Sequence, residues 1–308
     1  MKGARVAAGI VAAAAVAASV IALDAGQDKP RVRSSVEVTV VTATVRDENG
    51  RLAKDLPREA FEAYEDGVRV PITQFTNERV PLGLGLLMDT SDSMFGRRIK
   101  DAQGAVERFL LELLAPTDAF FVLSFNHEPH LLFGWKTEPE GVREALARLR
   151  PAGSTAIYDA VNAALPFIAN RPRERAAIVL ITDGDDTASD LTLHDLRPSL
   201  IRSDAFVYAI AIDSPEPQAI ARRVNADTLN EITSQSGGRT EIVRSTADLG
   251  PATANIAEEL NHQYVLGYSS PTPGDGKYHS IRVTVNREGY KVRARQGYVA
   301  SRRRIPDR

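Results

Sequence analysis

Leu86-Leu87-Met88-Asp89-Thr90-Ser91-Asp92-Ser93-Met94 is the stretch on which the reading of this chain turns. The apolar segment from Pro81 to Met88 ends abruptly in a carboxylate, and two hydroxyls follow at alternate positions, Asp-x-Ser-x-Ser. Such a run predicts a buried parallel strand whose following loop presents three hard oxygen donors on one side. Hard oxygens suit Mg²⁺, which takes one or two carboxylates and leaves places for water or a partner's oxygen. Asp-x-Ser-x-Ser alone is common by chance. Its place at a strand end gives it weight, and two downstream segments add to it.

The first is Gly153-Ser154-Thr155, a small-residue loop offering a hydroxyl just before a helical stretch. The second is Ile178-Val179-Leu180-Ile181-Thr182-Asp183-Gly184, another apolar run that ends in a carboxylate. In an open α/β sheet, ligands bind beyond the carboxyl ends of the strands, where the strand order reverses. If the strands ending at Asp89 and Asp183 flank that point, both carboxylates and three hydroxyls meet in one crevice.

With these three parts in order, residues 80 to 260 resemble the von Willebrand factor type A family and its metal-ion-dependent adhesion site. The resemblance implies that Asp89, Ser91, Ser93, Thr155 and Asp183 hold a divalent cation, Mg²⁺ or else Mn²⁺ or Ca²⁺. It also implies that the serines and the threonine contact the metal directly, with the aspartates acting directly or through water. Asp92 departs from the family, which usually has glycine between the two serines. Asp tolerates left-handed geometry better than most residues. Its carboxylate would raise metal affinity, repel an acidic ligand, or point into water. Asp159, one turn beyond Thr155, corresponds to a position that often supports the site from behind.

The 308 residues suffice for one large domain plus a smaller one. Apolar content of 43% and charged content of 25% are ordinary globular values. A balance of 38 basic to 40 acidic residues argues against a nucleic-acid binder, which would show a basic face. The one concentrated charge, Arg302-Arg303-Arg304 with Arg308, reads as a solubilising tail over 301–308. There is no cysteine, hence neither a disulfide nor a thiolate site. At the N-terminus, Lys2 and Arg5 precede an uncharged, Ala-rich stretch from Val6 to Leu23. Residues 1–27 thus read as a signal peptide, cleaved near Ala22 or Ala25, or as a retained anchor and then the chain's only tie to a membrane. Either way the rest is expected to be exported, to the periplasm, the cell surface or the medium.

Residues 34–80 read as β structure, with turns at Asp47-Glu48-Asn49-Gly50 and Glu65-Asp66-Gly67. From 81 to 261 strands and helices alternate. Helices are predicted over Arg97 to Leu114, Glu138 to Leu149, Thr155 to Ile168, Leu193 to Arg202, Asn225 to Ser236 and Ala247 to Asn261. This argues for an α/β domain with a doubly wound, mainly parallel, Rossmann-like sheet. Residues 262–300 return to β texture. Neither β segment has enough strands to bury a face alone, so the two are expected to join in one small β-sandwich carrying the α/β domain as an insert. This arrangement resembles secreted bacterial proteins named for a von Willebrand factor-related domain. They have an Asp-x-x-Gly turn and a Phe-x-x-x-Glu-Asp-Gly motif, here Asp47 to Gly50 and Phe61 to Gly67.

Enzyme chemistries fit poorly. A haloacid dehalogenase-type phosphatase needs a second carboxylate where Ser91 stands. There is no Gly-x-Ser-x-Gly elbow, P-loop or Gly-x-Gly-x-x-Gly. Gly83-Leu84-Gly85 reads as a packing feature inside a strand. His127 and His130 belong to a turn, while His194, His262 and His279 are singletons without an assigned role. Asp185 and Asp186 make an acidic loop that is either solvated and capping the next helix, or tunes metal affinity or attracts basic partners. The expectation is a non-enzymatic, metal-dependent module that captures an Asp or Glu carboxylate of a protein partner. The alternative is an envelope scaffold with a purely structural metal.

Overall fold

The computed structural model describes residues 38–213 and 226–300. The signal-like segment, the basic tail and the start of the Asn225 helix lie outside the described residues.

Four short strands come first: β1 (Val38–Arg46), β2 (Phe61–Glu65), β3 (Val68–Val70) and β4 (Gln74–Thr76). Then β5 (Leu82–Asp89) opens the α/β part, followed by α1 (Arg97–Arg108), β6 (Ala119–Phe125) and β7 (Pro129–Lys136). Next come α2 (Val142–Arg148), α3 (Ile157–Ala169), β8 (Arg175–Thr182), α4 (Leu193–Arg202) and β9 (Phe206–Ile212). The part closes with α5 (Ala226–Ser236), β10 (Thr240–Val243) and α6 (Leu249–Asn261). Four strands end the described chain: β11 (Tyr264–Ser269), β12 (Tyr278–Val285), β13 (Lys291–Ala294) and β14 (Gly297–Val299).

The central sheet has the order β10-β9-β8-β5-β6-β7, parallel except for the edge strand β7. Strands β5, β6, β8 and β9 are buried along their whole length, as continuous apolar runs demand of a sheet covered on both faces. Alternate residues feed two cores. Leu84, Leu86 and Met88 pack with α1, α2 and α6, whereas Leu87, Ile178 and Leu180 pack with α3, α4 and α5. The sheet is therefore doubly wound, and its order reverses between β5 and β8.

The remaining strands form two antiparallel sheets, β13-β1-β11-β4 and β14-β12-β2-β3. Each interleaves N- and C-terminal segments: β1 lies between β11 and β13, and β12 between β2 and β14. Inward residues of both sheets, among them Val41, Val45, Phe61, Leu266 and Val283, share a third core. This is the geometry of a small sandwich. It meets the α/β part through Glu259 on α6. That buried carboxylate accepts hydrogen bonds from Tyr208 on β9 (2.8 Å), Arg239 (3.1 Å) and Arg46 on β1 (2.9 Å), and it also pairs with Arg293 on β13.

Candidate metal centre

Asp89 and Thr182 end the neighbouring strands β5 and β8, so Asp89 and Asp183 stand side by side at the reversal of strand order. Asp89 is fully buried. Its Oδ1 accepts the Ser91 backbone N–H (2.8 Å) and its Oδ2 accepts the Thr182 hydroxyl (2.6 Å). The loop then turns through Asp92–Met94, bringing the Ser91 and Ser93 hydroxyls within 3.0 Å of each other. Ser93 in turn donates to Asp183 Oδ1 at 2.6 Å.

Thr155 arrives from the opposite loop. The Asp92 backbone N–H donates to the Gly153 carbonyl (2.9 Å), and the Thr155 carbonyl accepts the backbone N–H groups of Thr187 (2.8 Å) and Ala188 (3.1 Å). The three loops are thereby laced together. A Cβ on Gly184 would lie 3.6 Å from Thr155 Oγ1 and 3.8 Å from Ser93 Oγ, so both hydroxyls face the surface that this glycine leaves open. No side-chain hydrogen bond joins Thr155 to the other four residues.

The sequence reading missed two members of this centre. Arg98, on the first turn of α1, donates to Asp183 Oδ2 (2.6 Å) and to the Ser93 carbonyl (3.1 Å). It is nearly buried, and a surface helix position gave no hint of that. Thr182, the last residue of an apolar run, passed for part of the strand. Asp92 needs no left-handed tolerance: it lies in a right-handed 3₁₀ turn, and Asp66 is the one non-glycine residue with positive φ among the described residues. Its side chain is exposed.

Asp186 does not cap the following helix, whose N-terminus is closed by a capping box of Thr192 and Asp195. Instead it accepts the Tyr158 backbone N–H (3.1 Å) at the start of α3 and the Ser189 hydroxyl (2.5 Å). Asp159 accepts the backbone N–H groups of Asp190 (2.8 Å) and Leu191 (3.1 Å). Both carboxylates thus brace the loop behind Asp183. His127 and His130 are exposed about Glu128.

Burial pushes the Asp89 carboxyl up to about 6; hydrogen bonds from Thr182 and Ser91 oppose the rise, and the charge of Asp183 adds to it. Burial likewise raises Asp183, against the pull of Ser93 and Arg98. Two carboxylates held in this way favour a cation between them. The donor set fits one: ligand oxygens about an octahedral Mg²⁺ stand about 2.9 Å apart, and the Ser91–Ser93 and Ser93–Asp183 spacings are 3.0 and 2.6 Å. Arg98 engages the oxygen of Asp183 that faces away from Ser93, so it orients the carboxylate and leaves Oδ1 to the crevice.

Residues 84–185 match the family model described as von Willebrand factor type A domain. Inter-alpha-trypsin inhibitor heavy chain H2 of Mus musculus is 27% identical over 182 residues, covering 50% of this chain and 19% of the relative. Uncharacterized protein sll0103 of Synechocystis sp. is 28% identical over 117 residues, covering 37% of this chain and 28% of that protein. The matched region spans about a fifth of the length of the heavy-chain relatives. Among solved structures, von Willebrand factor type A from Catenulispora acidiphila superposes with a TM-score of 0.51 at 12% identity, covering 90% of this chain and 78% of that one. Proximal thread matrix protein 1 from the mussel byssus gives 0.51 at 15% identity, covering 64% and 51%. Members of the matched family are in general non-enzymatic interaction modules. Residues 84–185 thus match a von Willebrand factor type A domain, and the sheet order and the solved structures agree with that fold.

Proposed function

We propose that the protein is an exported, metal-dependent protein-binding module. Ser91, Ser93 and Thr155 would hold a divalent cation, foremost Mg²⁺, with Asp89 and Asp183 alongside. The observation that carries this reading is the continuous run of oxygens from Ser91 through Ser93 to Asp183 at the switch point, backed by buried carboxylates and exposed only at Ser93. Bound there, the cation supplies Lewis acidity and an open coordination position. Hydroxyl donors neutralise little of its charge, which leaves it attractive to an Asp or Glu carboxylate of a partner protein. Phe95, 76% exposed on the same loop, offers an apolar contact beside that carboxylate. Export rests on the charged and apolar N-terminal segment, and the lack of cysteine is compatible with it.

Surface binding to immobilised acidic peptides tests the reading. Peptides bearing Asp or Glu should bind in Mg²⁺ and release in chelator, while Asn and Gln counterparts stay free. Equal binding of both sets, with or without chelator, would rule out carboxylate capture.

A further inference from the structure

At the other end of the central sheet from the Asp89 loops, a cavity of about 670 Å³ is lined by both the α/β part and the sandwich. It reaches Arg175 and Phe206, the first residues of β8 and β9, whereas Asp89 ends β5 and Asp183 follows the end of β8. Its floor is the outer face of the sheet β13-β1-β11-β4. Along β1, Val41 and Ala43 turn into the sandwich core, so Val38, Val40 and Thr42 turn outward into the cavity, and Val40 is left 47% exposed. Val265 of β11 extends this apolar floor, and Phe206 adds to it from the opposite wall.

Four arginines line the same cavity, Arg171, Arg175, Arg202 and Arg295, against two carboxylates, Glu174 and Asp204. Asp204 is shared between Arg295 (2.5 Å) and Arg171 (3.5 Å). Arg175 is 8% exposed, and among the described residues it forms no ion pair. Its hydrogen bonds go to neutral acceptors: the carbonyls of Val80 (3.0 Å) and Leu260 (2.7 Å) and the side-chain oxygen of Gln263. Buried charges are normally paired, and Asp118, which acts on Arg175 from farther off, is already bound to Arg79. Burial pulls the Arg175 guanidinium down to about 10. Arg295 gives the second sign. Its Nη1 donates to Asp204 and its Nη2 to the Val40 carbonyl (2.7 Å), but its Nε is buried with no hydrogen-bond partner among the described residues.

The geometry points to this cavity as a binding site for a small amphipathic monocarboxylate, its charged end among the arginines and its apolar body on Val38, Val40 and Val265. The volume falls in the range of small-ligand sites, about 300–1,000 Å³. Such sites join apolar walls to a few polar groups that fix orientation, and here the apolar floor and the guanidinium groups supply both. The planar guanidinium fork matches a carboxylate in shape and charge. One buried guanidinium lacks a countercharge, so one negative charge balances it; Arg202 is exposed and has water for that purpose. The site needs no metal and shares no residue with the Asp89 centre.

The test is calorimetric titration of the intact chain with decanoate, in chelator so that the Asp89 centre plays no part. Decanoate should bind at one molecule per chain, while decyltrimethylammonium, the same apolar chain with the opposite charge, should not bind. Arg295→Gln and Val40→Glu should each weaken decanoate binding by at least about tenfold, the effect expected of one lost or opposed charge contact. Val40→Glu sets a carboxylate on the outward face of β1 and leaves the sandwich core untouched, so its circular dichroism should match wild type. No decanoate bound by wild type, equal binding of the cationic analogue, or decanoate affinity undiminished in either variant would overturn the inference.

Discussion

Arg98 and Asp183 form the most consequential pair in the molecule: a guanidinium and a carboxylate 2.6 Å apart, with side chains 10% and 0% exposed. Removing one partner of such a pair strands the other charge in the interior, at a cost of about 3–5 kcal/mol. Arg98→Met should therefore lower stability by that amount in denaturant unfolding. Saturating Mg²⁺ should restore more stability to the variant than it adds to wild type, because the ion then replaces the lost guanidinium as the countercharge of Asp183. Equal Mg²⁺ effects in both would mean that Asp183 does not face the cation. The convergence of the Asp89, Gly153–Thr155 and Asp183 loops was legible because apolar runs break and a small-residue loop begins there. Arg98 and Thr182 were not, since their roles arise from a neighbour 85 or 93 residues away.

Element positions followed from patterning wherever a run was buried on both faces, as in β5, β6, β8 and β9. Helix ends were less legible. Gly141 at φ 77° starts α2 later than Glu138, and the Thr155 carbonyl is bonded to the 187–188 loop instead of starting α3. The helix expected to run from Arg97 to Leu114 changes to a π-turn over Phe109–Leu113. Inside β5, the glycine pair proves to be a packing requirement: a Cβ on Gly85 would meet the Phe121 ring at 2.3 Å. Phe121 is itself stacked on Phe167, with centroids 4.9 Å apart, so it has little room to yield. Gly85→Ala should cost about 1–3 kcal/mol by overpacking. A thermal melt unchanged from wild type would show that the β5–α3 layer is looser than this packing implies.

Across the whole molecule, the doubly wound sheet and the presence of a sandwich were readable from element order. The strand partners were not. Antiparallel pairing such as Val38 with Ser269 joins residues with no local signal in common. The same holds for Glu259, read only as part of a helix, which ties Arg46, Arg239, Arg293 and Tyr208 together between the two halves. Burial pushes its carboxyl up, but Arg293 and Arg239 outweigh that and hold it below the ordinary glutamate value. The stability it contributes is complete above about pH 4.3 and is lost as pH falls through the lower folded value. Glu259→Gln should therefore be less stable at pH 7 and show a shallower loss of stability on acidification below pH about 4. Parallel acid profiles for variant and wild type would remove Glu259 from that role.

The central claim is that Asp89, Ser91, Ser93, Thr155 and Asp183 hold a divalent cation, and calorimetric titration of Mg²⁺ into the chelator-stripped protein tests it most directly. Wild type should bind in a saturable one-site isotherm, and Asp89→Ala, folded by circular dichroism, should give none. A wild-type protein that takes up no Mg²⁺, or a folded Asp89→Ala that binds it as wild type does, would contradict the account.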